Sequence, residues 1–534
     1  MRQKQPLRLY LMMSLLFLGM IGMLLQLYRI SESGDAVQAG VRQGKYHLQV
    51  PLAEGMVYDR FLRPLHQTED RLLAVVSPTP ETVAAILPKL RDKTAVSDQL
   101  KSVSPFVCEL TETVTETPNL RVLEGKTCRS GPQTAQHLLG YRQNGKGVAG
   151  LAASFDSLLT GYDSAADVMF TVDARGAALP GDESSLQMNR EAGGGLVTAL
   201  DVQVQKIAET ALRTVLPNGG AAVVLDSECG DILACASVPV YNPDDLAASL
   251  DDPGSPFLNR ALCAYNVGSV FKLAVAATAL ECRPNAEYCC ECEGSTEVYG
   301  QRFRCHAIAG HGLLDLRGAM TVSCNPYFIS LTQLLPAADL HQTARLLGFG
   351  QPIQLAQGLT ADAGRLQTAE ELGVPAEKAN FSFGQGKLLA TPLHIAAMTA
   401  CIANGGYWTV PRLVAGETPD GKTVTHEQEP YSRRVLKPET AARLREIMTA
   451  VLADPDHSNG APSNVTAGGK TSTAQTGQFA PDGTEYCHAW MTGFFPADAP
   501  KYTVTVFVEN GGSGNSTAAP VFRRIIEEMT RAGL

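Results

Sequence analysis

Ser269 and Lys272 stand three residues apart in "AYNVGSVFKLAVAATAL", residues 264–280. A serine hydroxyl is a weak nucleophile until a base takes its proton. A lysine amine is that base only when burial or a nearby positive charge lowers its pKa. On a helix, residues i and i+3 are surface neighbours, and the apolar residues around this pair would supply the burial. Alone the pair is weak, because a serine and a lysine three apart occur by chance about twice in a chain this long. Its bland reading is a helix-start serine beside a snorkelling lysine.

Two further segments change that reading. "TVSCNPYF" carries Ser323 and Asn325 as an S-x-N triplet, and "AGGKTSTAQTG" carries Lys470, Thr471, Ser472 and Thr473. S-x-x-K, then S-x-N, then K-T-G is the ordered signature of penicillin-binding proteins and serine β-lactamases. The chain resembles the class B penicillin-binding proteins, membrane-anchored peptidoglycan D,D-transpeptidases of division, elongation and sporulation. "LVTALDVQVQKIAE" (196–209), "AVVLDSECGDILACASVPVYNPDD" (222–245), "SFGQGKLLATPLHIAAMTACIANGG" (382–406) and "HAWMTGFFP" (488–496) look like segments of that catalytic domain. "GMVYDRFLRPL" (55–65) and "GKGVAGLAASFDSLLTG" (145–161) look like parts of its N-terminal module.

The resemblance implies a role for each residue. Ser269 attacks the carbonyl of the penultimate D-Ala of a stem peptide and forms an acyl-enzyme, and Lys272 accepts its proton. Ser323 relays a proton to the leaving amine. Asn325 orients the substrate amide and Lys272. Lys470 keeps the field positive and helps hold Lys272 neutral. Thr471 and Thr473 bind the terminal carboxylate, and the backbone N–H groups of Ser269 and Thr473 form an oxyanion hole. The chain departs from the usual pattern at Ser472, where the third K-T-G residue is normally glycine. It also has Val267 where proline often precedes the glycine before the nucleophile, and Ala152 where the N-terminal module often has glutamate. Ser472 should share a strand face with Lys470, and its hydroxyl is expected at the cleft rim, slowing bulky β-lactams. The implied chemistry needs no metal or organic cofactor.

These residues need a scaffold. "DVQVQKIAETALRTVL" (201–216) has helical periodicity, and "GGAAVVLDSECGDILACASV" (219–238) reads as two strands joined by a turn. "HAWMTGFFP" and "KYTVTVFVEN" read as two more strands, and "APVFRRIIEEMTRAGL" as a closing helix. Strands at both ends with helices between give an α+β domain whose antiparallel sheet joins distant parts of the chain. Upstream, "KYHLQVPL" (45–52) alternates as a strand and "PETVAAILPKL" (80–90) reads as a short helix. The polar, glycine-rich stretch at 179–195 marks a boundary. The expected organisation is residues 1–30 as tail and transmembrane anchor, 31–190 as a non-catalytic pedestal or interaction module, and 191–534 as the transpeptidase domain.

Composition bounds the alternatives. The 534-residue chain is 45% hydrophobic and 18% charged, with a net charge of -10, which disfavours a nucleic-acid binder. Arg2, Lys4 and Arg8 precede an apolar run from Leu9 to Leu25, close to the length that spans a bilayer. The charge order places the N-terminus in the cytoplasm and the catalytic domain outside. A cleaved signal peptide competes poorly, because "VQA" at 37–39 lies far past the run. Thirteen cysteines include a cluster at Cys282, Cys289, Cys290, Cys292 and Cys305. Its alternatives are a loop with one disulfide or free thiols, and a zinc site using Cys305, His306 and neighbours. The resemblance favours a pair, with Cys292 and Cys305 close enough to bridge.

Other functions share parts of this pattern. "GGKTS" suggests a P-loop, but Asn464 stands where that motif needs its first glycine. A β-lactam-hydrolysing or sensing relative shares the expected fold. An inactive cell-wall scaffold is the non-enzyme alternative. The partners implied are peptidoglycan stem peptides on glycan strands, β-lactams, and a membrane glycosyltransferase with other cell-wall machinery.

Overall fold

The computed structural model describes residues 4–32, 44–179, 184–190, 192–215, 218–282 and 288–534. Arg2 and the 37–39 segment lie outside the described residues. A helix, Lys4–Glu32, opens the chain. Within it an 18-residue window of Leu7–Glu32 has a mean hydropathy of 2.0 and is unburied, long and apolar enough to cross a membrane.

The chain divides into two compact units, one from Met1–Glu54, Thr68–Thr127 and Asp163–Ala192, the other from Gly55–Gln67, Cys128–Tyr162 and Gly193–Leu534. In the first, Lys45–Ala53 pairs with Ser164–Thr171, and that strand pairs with Ser185–Met188. A second small sheet runs Phe106–Leu110, Thr68–Val76, Leu120–Cys128. The expected helix at 80–90 is Pro80–Ile86, capped by Thr79, with a 3₁₀ turn after it.

The contiguous division at 190/191 needs correction. Gly55–Gln67 and Cys128–Tyr162 belong to the C-terminal unit. The reason is local: Met56–Tyr58 pairs in parallel with Gly195–Thr198, and the next residue, Asp59, is fully buried. Asp59 Oδ1 accepts from the Phe61 and Arg63 amides, and Oδ2 from Arg63 Nε at 2.7 Å and the Val202 amide at 3.1 Å. Arg63 also reaches Asp201 Oδ1 at 2.6 Å. Asp201 caps helix α1 (Val202–Leu212) by accepting from the amides of Gln203 and Val204. A buried carboxylate is tolerated only when paired and hydrogen-bonded in this way, so "GMVYDRF" is fixed to the start of the catalytic unit.

The central sheet of the second unit has five antiparallel strands: β1 (Gly220–Asp226), β2 (Ile232–Val238), β3 (Gly468–Phe479), β4 (Glu485–Phe495) and β5 (Tyr502–Val508). Their order is β2-β1-β5-β4-β3. Strands with a period-2 repeat send neighbouring residues to opposite faces, and both faces here are covered. Ala222 and Val224 join one core with α1 and the closing helix α5 (Ala519–Arg531). Ala221, Val223 and Leu225 join a larger core with α2 (Lys272–Cys282), α3 (Asn325–Gln333) and α4 (Pro392–Ala403). All twelve residues of α4 are buried, and its start is fixed by Pro392 and a Thr391–His394 capping box. The expected α+β architecture, with an antiparallel sheet flanked by helices and strands from both chain ends, is the one observed.

Candidate active site

The Ser269–Lys272 pair is placed differently from an ideal helix. Gly268–Phe271 is a 3₁₀ turn, and α2 begins at Lys272. Residues i and i+3 eclipse in a 3₁₀ turn, so Ser269 and Lys272 face the same way more directly than on an α-helix. The turn is held tightly. The Gly268 amide donates to Gly384 O at 2.8 Å, and Trp490 Nε1 donates to Asn266 O at 3.0 Å. Gly268 has φ +64° and Gly384 φ +72°. A Cβ on Gly384 would collide with the Gly268 carbonyl, so both positions require glycine. Gly384 lies within "SFGQG", and sequence reasoning alone does not reveal this role. Its signal is the pair of glycines flanking one residue.

Lys272 is fully buried. Its Nζ donates to Ser323 O at 2.7 Å and to Asn325 Oδ1 at 2.7 Å, and lies 3.3 Å from Ser323 Oγ. The Phe328 ring centroid is 5.4 Å away. Burial first, then the charge of Lys470, pushes the Lys272 ammonium well below the ordinary lysine range. In the neutral form, these two short bonds would use both N–H groups of the amine and leave its lone pair to accept a proton. Ser323 sits at φ +52°, a conformation costly for a non-glycine residue. It closes the short helix Leu316–Thr321, and Cys324 is the N-cap of α3, its amide bonded to Ala319 O at 2.9 Å.

Strand β3 supplies the third motif. Lys470 is buried, donates to Thr471 O at 3.1 Å, and is pushed down by burial to about 8. Lys470 and Ser472 are both buried, whereas Thr471 is half-buried and Thr473 exposed, as strand alternation requires. Thr473 Oγ1 accepts from the Gly514 amide at 3.1 Å. Ser472 corrects the cleft-rim expectation. Its hydroxyl is buried and donates to Val267 O at 3.0 Å, behind the turn that carries Ser269.

Cys292 and Cys305 lie close together, as expected. Both are free thiols. Their Sγ atoms lie within 4.8 Å of one another, together with a His311 nitrogen and Cys324 Sγ. The histidine in this group is His311 rather than His306. Cys324 belongs to the S-x-N segment and was assigned no role from the sequence.

A serine three residues before a buried lysine whose charged form is disfavoured by that burial supports acyl transfer through a covalent ester. The comparisons agree with that class. Residues 220–527 match the family model described as the penicillin binding protein transpeptidase domain. The chain belongs to the penicillin-binding protein transpeptidases, a family of serine acyltransferases. It is 32% identical over 416 residues to Stage V sporulation protein D of Bacillus subtilis, covering 73% of this chain and 62% of that protein. It is 31% identical over 444 residues to peptidoglycan D,D-transpeptidase PbpA of Mycolicibacterium smegmatis, covering 75% and 84%. Among solved structures, one described as a peptidoglycan synthase complex coordinating polymerization and crosslinking matches at TM-score 0.69 and 25% identity, covering 99% of this chain and 98% of that one. The ceftriaxone acyl-enzyme of penicillin-binding protein A from M. tuberculosis shares the fold, at TM-score 0.66 and 23% identity, covering 89% and 98%.

Proposed function

We propose that this chain is a membrane-anchored peptidoglycan D,D-transpeptidase that works through an acyl-enzyme at Ser269. The observation that carries the proposal is the buried Lys272 amine, held between Ser323 O and Asn325 Oδ1 and depressed by its burial and by Lys470. A neutral amine there takes the Ser269 proton as Oγ attacks the penultimate D-Ala carbonyl. The new bond is Oγ–C. The bond that breaks is the C–N bond to the terminal D-Ala, whose nitrogen receives the proton through Lys272 and Ser323. An amine of a neighbouring stem peptide then attacks the ester, forms the cross-linking amide and restores the Ser269 hydroxyl.

Lys470, protonated below about pH 8, supplies a positive field for the substrate carboxylate, with Thr471 and Thr473 at the strand edge. The amides of Ser269 and Thr473 serve the oxyanion. Ser472 acts through the backbone of the nucleophile turn. The N-terminal helix anchors the protein with its start in the cytoplasm and the catalytic unit outside, consistent with the charge order before the apolar run. The first unit serves as a non-catalytic pedestal or interaction module. A membrane glycosyltransferase is the natural partner, since a cross-linker needs fresh glycan strands, and the resemblance to a chain from a synthase complex supports this.

The test is release of D-Ala from a pentapeptide ending in D-Ala-D-Ala, with and without an acceptor amine. The full chain in detergent releases D-Ala and forms the cross-linked product, and Ser269→Ala does neither. Hydrolysis alone, with no acceptor product under any condition, would contradict the transfer reaction. Rapid turnover of bound penicillin would favour a β-lactamase.

A further inference from the structure

The loop 510–518 follows β5 and ends in a π-helical turn, Gly514–Ala518, that runs into α5. None of the three motifs lies in it, yet its backbone reaches the edge strand β3. The Gly514 amide donates to Thr473 Oγ1 at 3.1 Å. Gly514 is buried, and a Cβ there would overlap the Ser472 and Trp490 carbonyl oxygens. Only glycine lets the loop come this close. A reciprocal clamp holds the next residue. The Asn459 amide donates to Asn515 Oδ1 at 2.7 Å, and Asn459 Nδ2 donates to Asn515 O at 3.2 Å. On the other side of Gly514, the Gly512 amide donates to Cys487 O of β4 at 2.9 Å. The loop is therefore fixed before and after the residue that meets Thr473.

The Gly514–Thr473 bond has a direction. A threonine hydroxyl has one proton and two lone pairs, and an amide N–H can only donate. With Gly514 on one lone pair, the Thr473 proton must turn away from the loop. Among the described residues nothing accepts it. Thr473 is exposed at the strand edge, so the proton is offered to whatever lies along β3. A carboxylate carries acceptors only and fits such a fixed donor. Donation from Gly514 also polarises the hydroxyl and strengthens the bond it gives. Thr471, two residues earlier on the same strand face, has no such partner for its hydroxyl among the described residues.

We propose that the 510–518 loop sets the preference for a carboxylate in the donor: the Gly514 amide aims the Thr473 hydroxyl, and Asn459 and Asn515 are positioning residues that hold that amide in place. The proposal rests on the acyl-enzyme reading above and adds to it a specificity device that lies outside the three motifs.

The experiment uses the full chain in detergent and two probes, benzylpenicillin and its methyl ester, which differ only at the carboxylate. Second-order acylation rates are measured for each. The wild type should prefer the free acid by about 10- to 100-fold, the scale of one hydrogen bond to a charged group. Asn515→Ala should cut that preference by about 10-fold, and Thr473→Val should cut it at least as far. Thr473→Ser keeps the hydroxyl and should retain most of it. Asn515→Ala combined with Thr473→Val should go little beyond Thr473→Val alone, because both act through one hydroxyl. Should Asn515→Ala misfold, as its melting temperature would show, Asn459→Ala removes the other half of the clamp and gives the same reading. A preference unchanged in both clamp variants, or rates that fall equally for acid and ester, would overturn the proposal, since a general loosening of the fold slows both probes alike. Fully additive effects of Asn515→Ala and Thr473→Val would overturn it as well. A wild type that reacts with both probes at one rate would overturn the loop's role and leave acylation at Ser269 standing. No reaction with either probe would instead overturn the acyl-enzyme reading itself.

Discussion

Ser472 Oγ donates to Val267 O at 3.0 Å, and the hydroxyl lies where any side chain on Gly268 would have to go. The third residue of the K-T-G strand therefore braces the nucleophile turn instead of narrowing the substrate cleft. Ser472→Ala should lower stability by about 0.5–1.5 kcal/mol, the usual worth of such a bond. Because the hydroxyl points behind the turn, any effect on acylation should be the same for small and bulky β-lactams. Second-order acylation rates for a panel of differing side-chain size check this. A selective gain with bulky compounds would restore the cleft-rim reading.

The same contact makes Gly268 sensitive. Gly268→Ala places a Cβ against Ser472 Oγ and Ala474 at φ +64°. The strain alone is worth about 1–3 kcal/mol, and acylation should fall with it. Ser472→Gly should rescue Gly268→Ala in part, because it removes one collision and leaves the backbone strain. Denaturation of the four proteins of this cycle measures the coupling, and strictly additive effects would deny the contact.

The two lysines should divide the pH profile of acylation. In the proposed mechanism Lys272 works as a neutral amine, so the rate is lost as pH falls through its lowered pKa. Lys470 works as a cation, so the rate is lost as pH rises through about 8. A bell-shaped profile is expected. Lys470→Arg should carry the alkaline limb upward, because a guanidinium does not titrate in that range. An alkaline limb unmoved in that variant would remove Lys470 from the assignment.

Asp59 tests the reassigned boundary. Asp59→Ala strips a fully buried carboxylate from Arg63 and the start of α1, at a cost of about 3–5 kcal/mol. Calorimetry should show the loss in the transition that penicillin acylation shifts, which belongs to the catalytic unit. A change confined to another transition would contradict this packing.

The ordered motifs made the site legible because each carries its chemistry in residue type and spacing. The sheet was legible where apolar runs such as "AAVVL" and "YTVTVFV" have strand length and lie between turns. Less was readable where contacts join distant residues. The Asp59–Arg63–Asp201 network spans from residue 59 to residue 201, so periodicity within "GMVYDRFLRPL" held no sign of its destination. Ser472 was placed on the correct strand face, but the sequence did not show that the Val267 carbonyl waits there. The sulfur cluster was visible as a group of cysteines. Its fourth member was hidden inside a motif already read for another purpose.

The most direct test of the account is where penicillin attaches. Full-length protein treated with benzylpenicillin should gain the mass of one intact penicilloyl group, and peptide mapping should place it on Ser269. Ser269→Ala should gain none, and Lys272→Ala should gain it about 10²–10⁴-fold more slowly, the range for losing a general base. An adduct on any other residue, or one that persists in Ser269→Ala, would contradict the assignment of the nucleophile.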